Sequence, residues 1–406
     1  MAARRRLATR EIHVDRNGQL ATPSPRPPPL HDLITTIIDN YVPELDAVTL
    51  SSIVEPSPRI CGSWVEVLPE LIKNDTDTAL ASAVRAFAVS ILSRGPKRSF
   101  SVSEGLEAYN QALVSVNEAL RSPYSDFPVA IAAAVMCLLL AELYHVTSLC
   151  SYKAHLQGLA DLMQLSRPEV YASGIPHRLF VVLAFLSRKS SFLAKDEWKT
   201  IPFCETAPSP VQSLMSEAAV IPSILERMDA EGARAVAQES LQAFEAALAR
   251  LDAWADAFHS SASASSPLFW FQQSADHKRR HISFRDITAA SALTHLWSFR
   301  VICLTNMDQI SALCHDCRPT ADDGSRMAHS GETKRLSVMI CQSIEYLMQD
   351  KMKLFGPTSL SLPLRTAYAT FEAGGEQSGE ELRWCKEILK DMRTRGYGFV
   401  SYFLGV

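Results

Sequence analysis

Few residues in this 406-residue chain have the types and spacing that chemistry requires. The first group is Cys314-His315-Asp316-Cys317, in which two thiols separated by two residues match one edge of a zinc site, with His329 downstream. A structural zinc site needs a second ligand pair at fixed spacing, and none follows. The sequence therefore favours two ordinary thiols at a helix end, and no metal or other cofactor is predicted.

The second group is an acid and two bases. Glu142 and His145 are spaced to share one face of a helix beside an apolar run, and His155 follows on the next predicted helix. A buried carboxylate–imidazole pair could be an acid–base couple with shifted pKa values. A satisfied hydrogen bond between helices is the commoner arrangement and is favoured. The sequence has no Gly-rich phosphate loop, GxSxG turn or HExxH pair, so an enzyme is not predicted.

Positive charge is concentrated in two short runs. The candidate nuclear-import or phosphate contacts are Arg4, Arg5, Arg6, Lys278, Arg279 and Arg280. The first run suits a nuclear-import signal, a mitochondrial presequence or a solvated tail. The second suits phosphate or an import receptor, but a solvated loop before the next helix is favoured, because two or three charges do not make a nucleic-acid groove.

Composition narrows the function classes. The formal net charge is −4, so no overall field attracts a polyanion, and any DNA contact would be local or indirect. Nine cysteines, scattered singly through apolar runs, favour reduced thiols in an intracellular protein. The N-terminus lacks the apolar core of a secretory signal. The longest charge-free apolar run, 127–141, is too short to span a membrane, so no membrane partner is predicted.

The elements that must position these groups are helical. Apolar residues recur at helical spacing over 31–41, 60–68, 80–91, 106–120, 127–146, 152–165, 175–198, 211–228, 236–258, 282–313, 336–352, 364–371 and 380–395. Ser101 and Glu104 form a capping box, and 127–146 is apolar on all sides, which predicts a central buried helix. No strand is predicted, and 318–331 is polar enough for a mobile loop. We expect an all-α fold: one large helical bundle or superhelical domain over 30–406, after a disordered basic and Pro-rich tail at 1–29.

Several apolar segments are similar to a known domain, in the same order. They read SPRICGSWVEVLPEL, ALASAVRAFAVSIL, AIAAAVMCLLLAELY with AHLQGLADLMQL, RKSSFLAKDEW, and LPLRTAYATF with ELRWCKEILKDMRTRGYGF. Together they resemble the fungal-specific transcription factor domain over roughly residues 30–404. The resemblance implies a helical regulatory domain of the kind that usually follows a DNA-binding module with two zinc ions and six cysteines.

The resemblance sets the functional expectation. The first cysteine is Cys61, already inside the helical region, so the zinc cluster is missing from this sequence. The expected function is therefore regulation of transcription, for a secondary-metabolite biosynthetic gene cluster, by a nuclear protein that acts through protein partners or a small effector. It would reach DNA only indirectly, and homodimerisation is left open. The alternative is a non-transcriptional helical protein of such a cluster, either a ligand-binding module or an enzyme.

Overall fold

The chain is helical almost throughout its described length. The computed structural model describes residues 28–44, 63–74, 78–94, 98–121, 129–148, 150–180, 192–261, 266–273, 279–315 and 323–400. Within these residues the only sheet has two strands, so the predicted all-α class is confirmed. Residues 1–27, which make up nearly all of the predicted tail, lie outside the described residues.

The first group of helices precedes the connector at 201–209. It comprises α1 (Leu30–Tyr41), α2 (Leu68–Asn74), α3 (Thr78–Leu92), α4 (Val102–Leu120), α5 (Val129–Glu142), α6 (Ser151–Gln164), α7 (Gly174–Leu179) and α8 (Asp196–Thr200). The capping box that begins α4 is confirmed: the Glu104 N–H donates to the Ser101 hydroxyl, and the Glu104 carboxylate accepts from the Ser101 N–H at 2.7 Å.

Helix α5 is the centre of this group. Every residue from Ile131 to Glu142 is buried, as expected for a helix without a polar face. Helices α3 and α6 pack against it, and α3 is itself enclosed by α1, α4 and α5. The helix is shorter than the predicted 127–146, because the chain turns after Glu142.

The second group of elements is built around one long helix. It comprises α9 (Pro210–Ala218), α10 (Ile221–Glu231), α11 (Ala237–Ser260), strands β1 (Phe269–Gln273) and β2 (Arg280–Phe284), α12 (Ile287–His315), α13 (Asp323–Gln342), α14 (Ile344–Leu347), α15 (Phe355–Ser359), α16 (Ser361–Ala373) and α17 (Gly379–Thr394). Helix α12 is long and apolar enough to cross a membrane, but 78% of its apolar window is buried inside the fold. Its contacts with α9, α11, α13 and α16 make it the core helix of this group.

Main-chain hydrogen bonds connect the two groups. Leu354 donates to the Asn40 carbonyl at 2.9 Å, and Phe399 donates to the Leu143 carbonyl at 2.9 Å. The Tyr41 and Phe355 rings meet edge to face, with centroids 6.1 Å apart. The buried apolar side chains of both groups form one continuous core.

The expectation that the chain contains no strand was wrong. Phe269–Gln273 and Arg280–Phe284 pair as an antiparallel hairpin, and α12 begins only at Ile287 instead of 282. Both strands are five residues long; β1 is rich in aromatic residues and β2 contains Ile282 and Phe284, and these residue types favour strands. Such short runs carry too little alternation to be separated from a helix by periodicity alone.

Other predicted boundaries were also wrong. The helix expected over 175–198 ends at Leu179, and its residues 181–191 lie outside the described residues. The helix expected over 211–228 is broken after Ala218, and α10 begins at Ile221 with Pro222 in its first turn. The segment expected over 336–352 is divided at Ser343. The polar stretch 318–331 is helical from Asp323, since polar residues are tolerated in a helix that neighbouring helices stabilise.

Replacing Leu138 in the middle of α5 tests the core assignment. Leu138→Ala leaves a cavity in a fully buried site and should lower the free energy of unfolding by about 2–5 kcal/mol. The same replacement at Leu165, which is 73% exposed, should change it by less than about 0.5 kcal/mol. Urea titration of both variants is the measurement, and equal midpoints would contradict the assignment.

Candidate functional site

A partly buried polar cluster lies where the end of α5 meets α4 and α6. It consists of Tyr109 on α4, Glu142 at the last position of α5, Thr147 in the following turn and His155 on α6. Glu142 is only 2% exposed, which is rare for a carboxylate and requires compensating hydrogen bonds.

The Glu142 carboxylate is held by donors from two elements. The Thr147 N–H donates to Oε2 at 3.0 Å, and the Thr147 hydroxyl donates to Oε1. The Tyr109 hydroxyl also hydrogen bonds to Glu142. These donors replace the water that the carboxylate loses on burial.

His155 extends the cluster to α6. Its Nε2 lies 2.6 Å from the Tyr109 hydroxyl oxygen. The tautomer of His155 decides which of these two atoms donates. The imidazole, the phenol and the carboxylate thus form one polar chain that joins three helices.

His145 belongs to a neighbouring contact. Its Nε2 lies 2.5 Å from the Ser93 hydroxyl, which itself donates to the Ser90 carbonyl at 3.2 Å. The ring packs against Gly105 of α4, where a Cβ atom would lie 3.2 Å from the imidazole. The predicted pairing of Glu142 with His145 is thus replaced by separate partners for the two residues.

The surroundings shift the pKa values of Tyr109 and His155 in the cluster and of the neighbouring His145. Burial, followed by the hydrogen bond to Glu142, raises the pKa of the Tyr109 hydroxyl well above its ordinary value. Burial lowers the pKa of His145 and of His155, and the nearby Glu142 charge opposes this only in part. Both imidazoles are therefore neutral at pH 7. Because these side chains are neutral and hydrogen bonded to one another or to neighbouring residues, they serve as contacts between helices. This is the arrangement that the sequence favoured over an acid–base couple.

The structure places two of the six predicted basic residues, Arg279 and Arg280, at the hairpin, apart from this cluster. The Arg279 guanidinium stacks on the Trp384 ring at 4.7 Å and lies 3.8 Å from the Glu387 carboxylate. Arg280 is exposed and stacks on the Phe271 ring at 4.6 Å. The two arginines thus take different partners. Arg4, Arg5, Arg6 and Lys278 lie outside the described residues.

The predicted thiol cluster is described only in part. Cys314 and His315 end α12, but their side chains, and Cys317, lie outside the described residues. His329 is hydrogen bonded to Asp308, with 2.8 Å between Nδ1 and Oδ1. Among the side chains that the structure describes, no three metal-ligating residues are grouped.

An open groove of about 820 Å³ lies between α3 and α4, on the outer side of α4. Its lining residues are Ser82, Ser103, Leu106, Glu107, Asn110, Gln111, Val114 and Ser115. Leu106 and Val114 are 36% and 57% exposed. The sequence predicts neither this surface nor the role of Tyr109, because both lie in an ordinary amphipathic pattern that indicates only a packed helix.

Comparison with known proteins returned no match: no family model fits the chain, and neither a curated protein nor a solved structure matches it.

Removing the Tyr109 hydroxyl tests the cluster. Tyr109→Phe leaves buried Glu142 and His155 without a shared partner and should lower the free energy of unfolding by about 1–3 kcal/mol. The control is Tyr368→Phe, whose hydroxyl makes only an exposed 3.4 Å contact with Glu372 and should matter little. Thermal and urea unfolding measure both variants. Equal losses in the two would show that the cluster contributes nothing.

Stability should also depend on pH through His145 and His155. Their pKa values in the folded chain are below the unfolded value of about 6.5, so the unfolded chain binds more protons as the pH falls. The free energy of unfolding should decrease as the pH falls from 7 to 5, by at most about 1.4 kcal/mol per pH unit for each imidazole. In a His145→Asn, His155→Asn double variant the free energy of unfolding should depend less on pH over this range. Above pH 7.5 its pH dependence should be parallel to that of wild type. An unchanged slope would contradict the assignment.

Proposed function

We propose that this chain regulates transcription, in the nucleus and for the genes of a secondary-metabolite biosynthetic cluster, by binding protein partners or a small effector. It reaches DNA through a separate DNA-binding partner. The resemblance to the fungal-specific transcription factor domain supplies the function class. The contacts among the residues that carry the resemblance support applying it to this chain.

The observation that carries the proposal is the meeting of two distant segments of that resemblance. The end of AIAAAVMCLLLAELY contacts the end of ELRWCKEILKDMRTRGYGF through the hydrogen bond from Phe399 to Leu143. The Arg94 guanidinium lies 5.5 Å from the Tyr144 ring and 4.6 Å from the Tyr397 ring, and so contacts both segments. These contacts bring segments of the resemblance that are distant in the sequence into one packed unit, as a single domain requires.

The groove on α4 supports the part of the proposal that concerns protein partners. Its two exposed apolar residues, Leu106 and Val114, lie among polar residues on an open surface, which suits a partner helix better than an enclosed small ligand. Glu107 and Glu118 are exposed on the same face of α4, with no basic partner among the described residues. The matching partner is an amphipathic helix with basic residues beside its apolar strip.

A reporter assay tests the proposal. The chain fused to an unrelated DNA-binding domain should change expression of a reporter gene that carries the matching site. Leu106→Glu with Val114→Glu should abolish the change, because the added charge opposes an apolar partner. Leu165→Glu, at a more exposed apolar position elsewhere, is the control and should behave as wild type.

Two further measurements separate this function from the alternatives. Deletion of the gene should change the transcripts of neighbouring biosynthetic genes. Purified protein at ~150 mM salt should protect no defined DNA sequence, because phosphate contacts by a few arginines are screened there. A silent fusion that is folded and nuclear would reject the proposal, and a sequence-defined footprint without a partner would reject the indirect route to DNA.

A further inference from the structure

The two strands of the hairpin have different surroundings. Strand β2 contacts α12, α13 and α14, and its last three residues are buried. Strand β1 lies on the outside of β2, and four of its five residues are exposed. Phe269 anchors β1, because its ring packs on Phe284 and on Trp297 of α12. The outer edge of the sheet is therefore held on a rigid base.

The hydrogen-bonding pattern defines what this edge offers. Arg285 donates to the Leu268 carbonyl at 3.0 Å, and the strand register places these two residues directly opposite. Hydrogen-bonded and non-hydrogen-bonded pairs alternate in an antiparallel ladder, so Phe269 and Phe271 belong to the second kind. Their N–H and C=O groups point away from β2. None of these groups is hydrogen bonded to another residue that the structure describes.

The side chains on this edge favour a negatively charged strand. Trp270 and Phe271 are 39% and 41% exposed and lie on alternate faces. The Arg280 guanidinium stacks on Phe271, is exposed, and has no carboxylate partner in the described part of the chain. Strand β1 also contains no charged residue, proline or bulge, which are the features that normally prevent pairing at an edge.

We propose that the edge of β1 binds an extended acidic segment of another protein, which adds to the sheet as a third strand. The main-chain groups of Phe269 and Phe271 pair with the added strand. The Phe271 ring contacts one of its side chains, and Arg280 binds a carboxylate. The proposal is independent of the function proposed above, because it requires only the hairpin.

Charge decides between this partner and a second copy of the chain. If two β1 edges paired about a two-fold axis near Phe271, the Arg280 groups stacked on the two Phe271 rings would lie on the same face and repel each other. A carboxylate at the same place is attracted. An acidic peptide is therefore the complementary occupant.

Selection from a phage-displayed library of random 12-residue peptides tests the proposal on the full-length chain. Peptides selected for binding should be rich in Asp and Glu and should be synthesised for affinity measurements. Phe271→Pro removes the outward N–H without removing a β1–β2 hydrogen bond, and it should weaken binding at least tenfold. Phe271→Val keeps that N–H and should weaken binding much less. Arg280→Gln should weaken binding severalfold, with a smaller dependence on salt than wild type.

Because the Phe271→Pro variant could misfold, a second test changes the peptide and leaves the protein as wild type. The selected peptides, N-methylated at alternate residues, should bind wild type only when the methyl groups avoid the edge. Failure to select any acidic binder would overturn the proposal, as would equal affinity for wild type and Phe271→Pro. Dimerisation of wild type that Phe271→Pro abolishes would assign the edge to a second copy and would also overturn it.

Discussion

Helix α5 has no face that can be left in water, and the first half of the molecule is arranged to satisfy that constraint. Every side chain from Ile131 onward must be covered, so helices have to surround it instead of forming a single layer. Helices α3 and α6 lie against it directly, and α1 and α4 enclose α3 in turn. The same solution recurs around α12 in the second half. The core therefore forms around two enclosed helices, α5 and α12, and is continuous between them.

When a helix is enclosed, the polar groups at its end are buried and lose their hydrogen bonds to water. The last carbonyl groups of α5 and the Glu142 side chain enter the core with it, and each needs a partner. Thr147 and Tyr109 supply donors to the carboxylate, while Phe399 supplies one to the Leu143 carbonyl. The polar cluster and the contact with the C-terminal segment are thus both consequences of burying this helix. This accounts for a Glu–Tyr–His arrangement without assigning it a reaction.

The fold class could be predicted from the sequence because it depends on local patterns. The capping box at Ser101 and the apolar run of α5 each carry their own signal. The hairpin could not be predicted, since the pairing of Phe269 with Phe284 is a contact between residues distant in sequence, on strands too short to alternate clearly. For the site, the residue types at Glu142 and His155 were informative, but the Tyr109 between them comes from another helix. Which side chains pair in such a cluster depends on how the helices pack, so the spacing of residues in the sequence does not predict the pairs.

The closeness of Gly398 to the turn after α5 has a consequence for how the chain acquires its structure. A Cβ atom at this position would clash with the Tyr144 carbonyl oxygen, so the main chain itself covers the end of the central helix. During synthesis α5 leaves the ribosome long before Gly398 does, and its end stays uncovered meanwhile. Completing the first half thus requires closure of a very long loop, which slows folding. The nascent chain would expose an apolar surface for that interval, and chaperone binding would be most useful there.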